Sequence, residues 1–231
     1  MTSNNIKDIL DINIFDGIFK INKLKSIIIL FLIFLAIIIL YSQMSYLYNN
    51  ITKKTGEIYL IKLTNILGII SLINSNDWIM TIISWELFNY TLYLLVSINS
   101  YSEKSISSSL KYFILSALTT GILFLSISII YYNTGNTNYE IIAINIIELF
   151  NMNKDNIMLK FALILLIFAI LFKLSAFPFY NWAPDLYDNL NTNITMWMMI
   201  IPKLAVLSLL LILSIENILP LYLISNLNNF I

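Results

Sequence analysis

Three ionisable side chains stand inside long apolar stretches of the sequence: Glu86, Lys173 and Lys203. At the centre of a membrane-spanning helix a charged side chain costs about 2.5–3.5 kcal/mol on insertion scales, so such residues usually have a function. We expect one acid and two bases at comparable depth on three helices to form a polar line. Glu86 and Lys173 would pair and exchange protonation states, and Lys203 would be a second station. The pattern predicts a proton relay; the alternative is a buried ion pair that only fixes helix register.

The prolines support the relay interpretation, because Pro178, Pro184 and Pro202 lie around the two lysine-bearing stretches. A proline removes a backbone donor and frees carbonyl groups that water or side chains can use inside a membrane. We therefore expect a broken helix over about residues 157–180.

Composition excludes most other classes of protein. Hydrophobic residues make up 59% of the chain and charged residues 11%, with a formal net charge of zero. A soluble domain carries about 25% charged residues, and a nucleic-acid-binding protein has a basic patch. The sequence has no Cys and no His, which excludes disulfides, Cys-ligated iron–sulfur clusters, His-ligated haem, the usual zinc sites and His-dependent nucleophiles.

Apolar runs predict an all-α, polytopic membrane helix bundle, since about 20 apolar residues cross the hydrocarbon core. The predicted spans are residues 27–48, 58–74, 78–98, 110–132, 157–179 and 194–214, followed by a short C-terminal stub, 218–231.

The remaining segments are predicted to lie at the membrane surface. Residues 1–25 alternate apolar and charged side chains at a spacing that fits an amphipathic surface helix. The apolar periodicity of residues 133–156 predicts a short interfacial helix. Lysines flank both ends of the first span, so the positive-inside rule leaves the membrane orientation open. Lys62, about one turn into its span, either extends to the interface or is buried.

Four stretches resemble a known family, the antiporter-like proton-pumping membrane subunits of respiratory complex I (NADH:ubiquinone oxidoreductase), and among them the subunit 2 family. The matching stretches are Glu86-Leu87 with Leu92-Tyr93-Leu94, Ser102-Glu103 with Lys111-Tyr112-Phe113, Phe172-Lys173-Leu174-Ser175 with Pro178-Phe179, Trp182, Pro184-Asp185 and Tyr187, and Pro202-Lys203 with Ala205. Their order and spacing agree over about residues 57–214.

The resemblance implies a role for each of the three charges. Glu86 matches the glutamate that pairs with the broken-helix lysine, here Lys173, and Lys203 matches the lysine that continues the central hydrophilic axis. The family implies proton translocation coupled to quinone reduction elsewhere in the complex, in the mitochondrial inner membrane. It implies no redox cofactor in this chain, with flavin, iron–sulfur clusters and quinone in other subunits.

The sequence departs from the family pattern in two places. Tyr180 stands where the family usually has His, so a relay through that position is in doubt. The family also has a second, inverted repeat of similar size, and repeat-built transport folds need both halves. We therefore expect the N-terminal part of a split subunit, completed by a separate chain that carries the C-terminal half.

Two further functions are compatible with the sequence. A sodium/proton antiporter subunit of the same superfamily would occur with antiporter partners and without flavin or iron–sulfur proteins. A pump-inactive scaffold subunit would tolerate neutral replacements of Glu86 and Lys173.

Overall fold

The computed structural model describes residues 12–49, 55–98, 103–151, 157–216 and 218. These residues form two strands, β1 (Ile12–Ile14) and β2 (Phe19–Ile21), and eight helices: α1 (Lys23–Asn49), α2 (Thr55–Asn74), α3 (Trp78–Ser97), α4 (Glu103–Thr134), α5 (Tyr139–Asn151), α6 (Ile157–Lys173), α7 (Trp182–Asp188) and α8 (Thr192–Ile215).

The predicted all-α membrane bundle is confirmed. Within the described part of the chain, α1, α2, α3, α4 and α8 are long and apolar enough to cross a membrane. The bundle is closed by large side chains such as Trp85, Phe88 and Trp197, which are almost completely buried. Its outer surface is also apolar, with Phe34 and Leu118 among the exposed side chains, as expected for helices that face lipid.

The predicted broken helix is also confirmed, and it ends at a residue of the predicted site. The 17 residues of α6 end at Lys173, and at 1.5 Å per residue they measure about 25 Å, short of the roughly 30 Å hydrocarbon core. The chain then turns through Ser175 (φ 53°) and Pro178 before α7 begins. The Phe172 carbonyl accepts from the Ser175 backbone N–H at 3.0 Å and from the indole Nε1 of Trp182 at 3.2 Å, so the last turn of α6 is hydrogen-bonded to the start of α7.

A short helix forms within residues 133–156, as predicted: α5, whose 13 residues are too few to span a membrane. Ile142 and Ile146 are buried against the bundle, whereas Ile141 and Ile144 are exposed. The backbone N–H of Trp78 donates to Thr137 and that of Tyr139 donates to Asn76, both at 3.0 Å, so α5 starts at the end of the bundle where α3 begins.

The surface helix predicted for residues 1–25 is wrong over its described part. Residues 12–21 form an antiparallel hairpin in which Ile12 pairs with Ile21 and Ile14 with Phe19. The physical reason is the Asp16-Gly17 pair between alternating apolar residues, a strong hairpin signal. Both residues adopt positive φ, 54° and 85°, as the turn requires. Residues 1–11 lie outside the described chain, as does the predicted stub 218–231 apart from the buried Ile218.

Candidate functional site

Lys173 is buried at the point where α6 breaks, and its side chain is 5% exposed. Its Nζ donates to the Tyr112 hydroxyl of α4 at 3.1 Å. An ammonium group has three donors, and a buried one is costly unless its charge is stabilised. The surroundings of Lys173 must therefore supply this stabilisation by means other than a single hydrogen bond.

Three aromatic rings surround the Lys173 ammonium, and we call them the aromatic cage. The Nζ lies 5.1 Å from the ring centroid of Tyr112, 5.7 Å from that of Phe88 and 5.9 Å from that of Tyr93. The negative faces of aromatic rings attract a cation within about 6 Å, more strongly where water is excluded. The Tyr93 hydroxyl is hydrogen-bonded to Ser116, which fixes one side of the cage between α3 and α4.

Glu86 lies on α3, less than two turns before Phe88 and Tyr93 of the cage. Helix α3 is set in place by Asp77, whose side chain caps its first turn by accepting from the Ile79 backbone N–H at 2.8 Å. Glu86 is half-buried and lies near enough to Lys173 to interact with it electrostatically. Between these two described residues, however, there is no direct ion pair, so the expected contact is replaced by a longer-range interaction.

Lys203 lies directly after Pro202 on α8 and is half-buried. Its Nζ is 5.5 Å from the ring centroid of Tyr187 on α7. The Tyr187 ring packs edge-on against the Trp182 ring. The ring centroids of Trp182 and Tyr112 are in turn 5.3 Å apart. Aromatic residues therefore connect the cage around Lys173 with the surroundings of Lys203.

Burial raises the pKa of the Tyr187 phenol to about 12. The phenol is therefore neutral in the physiological range, and Tyr187 presents a ring face to Lys203 rather than a negative charge.

Lys62 is a further cation inside the bundle, because it is 1% exposed rather than extended to the interface. Its Nζ donates to the Gln43 side chain of α1 and lies 5.3 Å from the Trp197 ring of α8. The Gln43 amide donates to the Asn193 carbonyl at 2.8 Å. Lys62 thus joins α1, α2 and α8, at a site separate from the cage around Lys173.

Three polar side chains in the stretches that resemble the family lie outside this interior. Lys111 and Asp185 are both exposed and form an ion pair at 3.7 Å between α4 and α7. Tyr180, at the position where the family usually has His, is exposed and stacks on Phe177. Within the described structure, Tyr180 therefore does not lie beside Lys173 or Lys203.

The structure places Lys173 against the stretch of α3 that carries Glu86, without a direct contact between the two charges, and it joins Lys203 to Lys173 only through aromatic side chains. It adds residues that sequence reasoning did not assign: Tyr112, the hydrogen-bond acceptor of Lys173, and Tyr187, the neighbour of Lys203. Both tyrosines stand in the stretches that resemble the family, which was the available signal. Such an interior can hold, stabilise and exchange positive charge, which is the chemistry of proton transfer between titratable side chains.

Comparison with known proteins gives a family match over about two thirds of the chain. The model of the family described as NADH:quinone oxidoreductase/Mrp antiporter, TM, matches residues 75–227. NADH-ubiquinone oxidoreductase chain 2 of Rhizopus oryzae is 33% identical over 216 residues, covering 87% of this chain and 40% of that protein. NADH-quinone oxidoreductase subunit N of Pelagibacter ubique is 39% identical over 160 residues, covering 67% of this chain and 33% of that protein.

A solved structure shares the fold. A chain of respiratory complex I from Thermus thermophilus superposes with a TM-score of 0.68 at 21% identity, covering 87% of this chain and 42% of that chain. The present chain therefore spans less than half the length of these relatives.

Proposed function

The chain belongs to the NADH:quinone oxidoreductase/Mrp antiporter membrane family, and on that premise we propose that it is a proton-translocating membrane-arm subunit of respiratory complex I. As such it would be part of NADH:ubiquinone reductase without carrying out redox chemistry itself. The observation that carries the proposal is the buried Lys173 ammonium at the break of α6, which is surrounded by three aromatic rings, two of them on the helix that carries Glu86.

In the proposed relay, Lys173 is the central proton-carrying group. The aromatic cage and the Tyr112 hydroxyl stabilise its protonated form. The charge of Lys173 also affects the ionisation of Glu86 on α3. Loss of the Lys173 proton removes a positive charge from the interior, which changes the energy of a charge on Glu86. Lys203 is the next proton-accepting residue, and Trp182 and Tyr187 lie between it and Lys173.

The proposed partners are the other membrane-arm subunits and a separate chain that carries the C-terminal half of the subunit. Support for the second chain comes from the relatives, of whose length this chain covers 33–44% in the first matches. Flavin, iron–sulfur clusters and quinone are proposed to reside in other subunits, since this sequence contains no Cys and no His. The proposed location is the mitochondrial inner membrane, consistent with similarity to the NADH-ubiquinone oxidoreductase chain 2 of Rhizopus oryzae.

The function is tested by replacing the acid of the relay in the intact complex. Glu86→Gln removes the charge with little change of shape, so we expect an assembled complex in proteoliposomes with much slower proton translocation. The matched control is Glu148→Gln, at an exposed acid on α5, which should pump like the wild type. Equal pumping by Glu86→Gln and the wild type would show that the chain is a scaffold.

The family description also names Mrp antiporters, which makes a sodium/proton antiporter subunit the second candidate. Mass spectrometry of the native complex separates the two. Flavin and iron–sulfur proteins, together with a chain homologous to the C-terminal part of the relatives, support the complex I proposal. Antiporter partners together with sodium-dependent proton movement support the antiporter.

A further inference from the structure

Asn89 is a buried polar residue with unsatisfied hydrogen-bonding groups in the region of the relay. It lies on α3 one turn after Glu86, on the way to Tyr93 of the aromatic cage, and is 0% exposed. Neither its Nδ2 nor its Oδ1 has a hydrogen-bond partner among the described residues. A primary amide offers two donors and two acceptor sites, and leaving them unpaired in an apolar interior is unfavourable.

Trp85 adds a second unsatisfied group on the same face of α3. It precedes Asn89 by four residues, so the two side chains are neighbours along the helix. Trp85 is 1% exposed, and within the described part of the chain its indole Nε1 also has no partner. Buried polar groups without protein partners mark places where ordered water binds in membrane and soluble proteins alike.

Both charges of the proposed relay lie close to this stretch of α3. Glu86 precedes Asn89 by three residues, and the Lys173 Nζ lies 5.7 Å from the ring centroid of Phe88 and 5.9 Å from that of Tyr93. Glu86 and Lys173 interact electrostatically but form no direct ion pair. The hydrogen bond from Lys173 to Tyr112 uses one of the three Nζ donors. A water molecule beside Asn89 would therefore have an ammonium donor, a carboxylate acceptor and an amide as partners, which meets the two to four partners that a buried water needs.

We infer that Asn89 binds a water molecule that bridges the Lys173 ammonium and the Glu86 carboxylate, and that Asn89 is a positioning residue for proton transfer between them. The Lys173 N–H bond breaks as the water accepts its proton, and the water releases another proton to a Glu86 oxygen. Lysine becomes a neutral amine, glutamate a neutral acid, and the water is regenerated; the reverse step runs through the same atoms. This inference rests on the proposed function and assigns one step of it.

The test uses Asn89→Leu in the intact complex, reconstituted in proteoliposomes. Leucine has similar volume and no polar group, so a purely structural role predicts equal or higher thermal stability and unchanged pumping. We expect an assembled complex of undiminished stability whose proton translocation is about tenfold slower. Asn89→Ser, which keeps a hydroxyl able to hold water, should recover most of the rate. Asn89→Met carries the same expectation as Asn89→Leu if the latter does not assemble, because its unbranched side chain adapts to irregular space.

The matched control is Asn65, a second fully buried asparagine whose amide is satisfied. It donates to the Thr91 hydroxyl at 2.7 Å and accepts from the Trp197 indole at 3.2 Å. Asn65→Leu should therefore lower thermal stability, in contrast to Asn89→Leu. Wild-type pumping by Asn89→Leu together with slow pumping by Glu86→Gln overturns the water site and leaves the proposed function standing. Wild-type pumping by both variants overturns both.

Discussion

The Lys173 ammonium donates to the Tyr112 hydroxyl at 3.1 Å and makes no direct ion pair with Glu86. The main partners of this buried charge are thus neutral aromatic groups from α3 and α4. A direct ion pair would hold the proton on lysine by strong mutual attraction. Neutral rings, with an acid at longer range, stabilise the protonated lysine less strongly than a direct ion pair would. The proton can therefore be transferred to another group more easily.

Tyr112→Phe tests the hydrogen bond without removing the ring. The variant keeps the cation–π contact at 5.1 Å and loses only the acceptor of the Lys173 proton. We expect normal assembly and proton translocation slowed about tenfold, because hydrogen bonds to charged groups contribute about 1.5–3 kcal/mol. The control is Tyr93→Phe, whose lost hydroxyl is bonded to Ser116 rather than to Lys173. Equal rates for the two variants would remove the special role of Tyr112.

Gly68→Ala tests how closely α2 must approach α3 to hold the cage. A methyl group at Gly68 would lie 3.0 Å from the backbone nitrogen of Phe88. The helices would have to separate, which we expect to destabilise the protein by about 1–3 kcal/mol and to slow pumping by displacing Phe88. Gly121→Ala is the control, since nothing lies within 4 Å of the added methyl group, and it should be neutral or stabilising by up to about 1 kcal/mol. Thermal unfolding of both variants checks the prediction, and equal midpoints would contradict it.

Lys62→Met tests the structural contact that joins α1, α2 and α8. Removal of the ammonium leaves the buried Gln43 acceptor unpaired, so we expect a loss of about 1–3 kcal/mol in stability. Replacing Gln43 by Leu in the same chain removes the unpaired group and should recover part of that loss. Thermal unfolding and assembly yield are the measurements. A Lys62→Met protein as stable as the wild type would show that Lys62 contributes nothing to the packing of these helices.

The raised pKa of Tyr187 predicts a loss of stability in alkali. Burial raises its pKa from an ordinary value of 10.0 to about 12. The folded protein therefore keeps the phenolic proton where the unfolded chain releases it, and stability falls as pH rises from about 10 to about 12. Tyr187→Phe should remove this part of the pH dependence while keeping the ring beside Lys203. Unfolding midpoints measured across this range check it, and identical slopes for both proteins would refute it.

The helices of the bundle could be predicted from the sequence, because the length of an apolar run and a charge inside it are local features with large energetic effects in a membrane. These features identified the membrane bundle, and the prolines and the apolar periodicity identified the break before Pro178 and the helix within residues 133–156. The resemblance at four stretches is confirmed at the level of the family. The sequence did not predict the hairpin at Asp16-Gly17, because the charged residues around it also fit one face of an amphipathic helix.

Side-chain partners across the bundle could not be predicted in the same way. The burial of Lys62 depends on Gln43 and Trp197, which are distant in sequence and meet it only after α1 and α8 pack. Asn89 is likewise indistinguishable from other polar residues in a span until its neighbours are known to leave its amide unpaired. The contact expected between Glu86 and Lys173 depends on side-chain direction, which residue type and depth in the membrane do not determine.

In the proposed relay Lys173 carries the proton, and the decisive measurement of this role is the number of protons translocated per electron by the Lys173→Met complex. Methionine retains the length and apolar packing of the side chain but cannot be protonated, so the complex should assemble. We predict an assembled enzyme with a clearly reduced proton-to-electron ratio and reduced proton-coupled quinone reductase activity. An assembled Lys173→Met complex with the full wild-type ratio would contradict the relay.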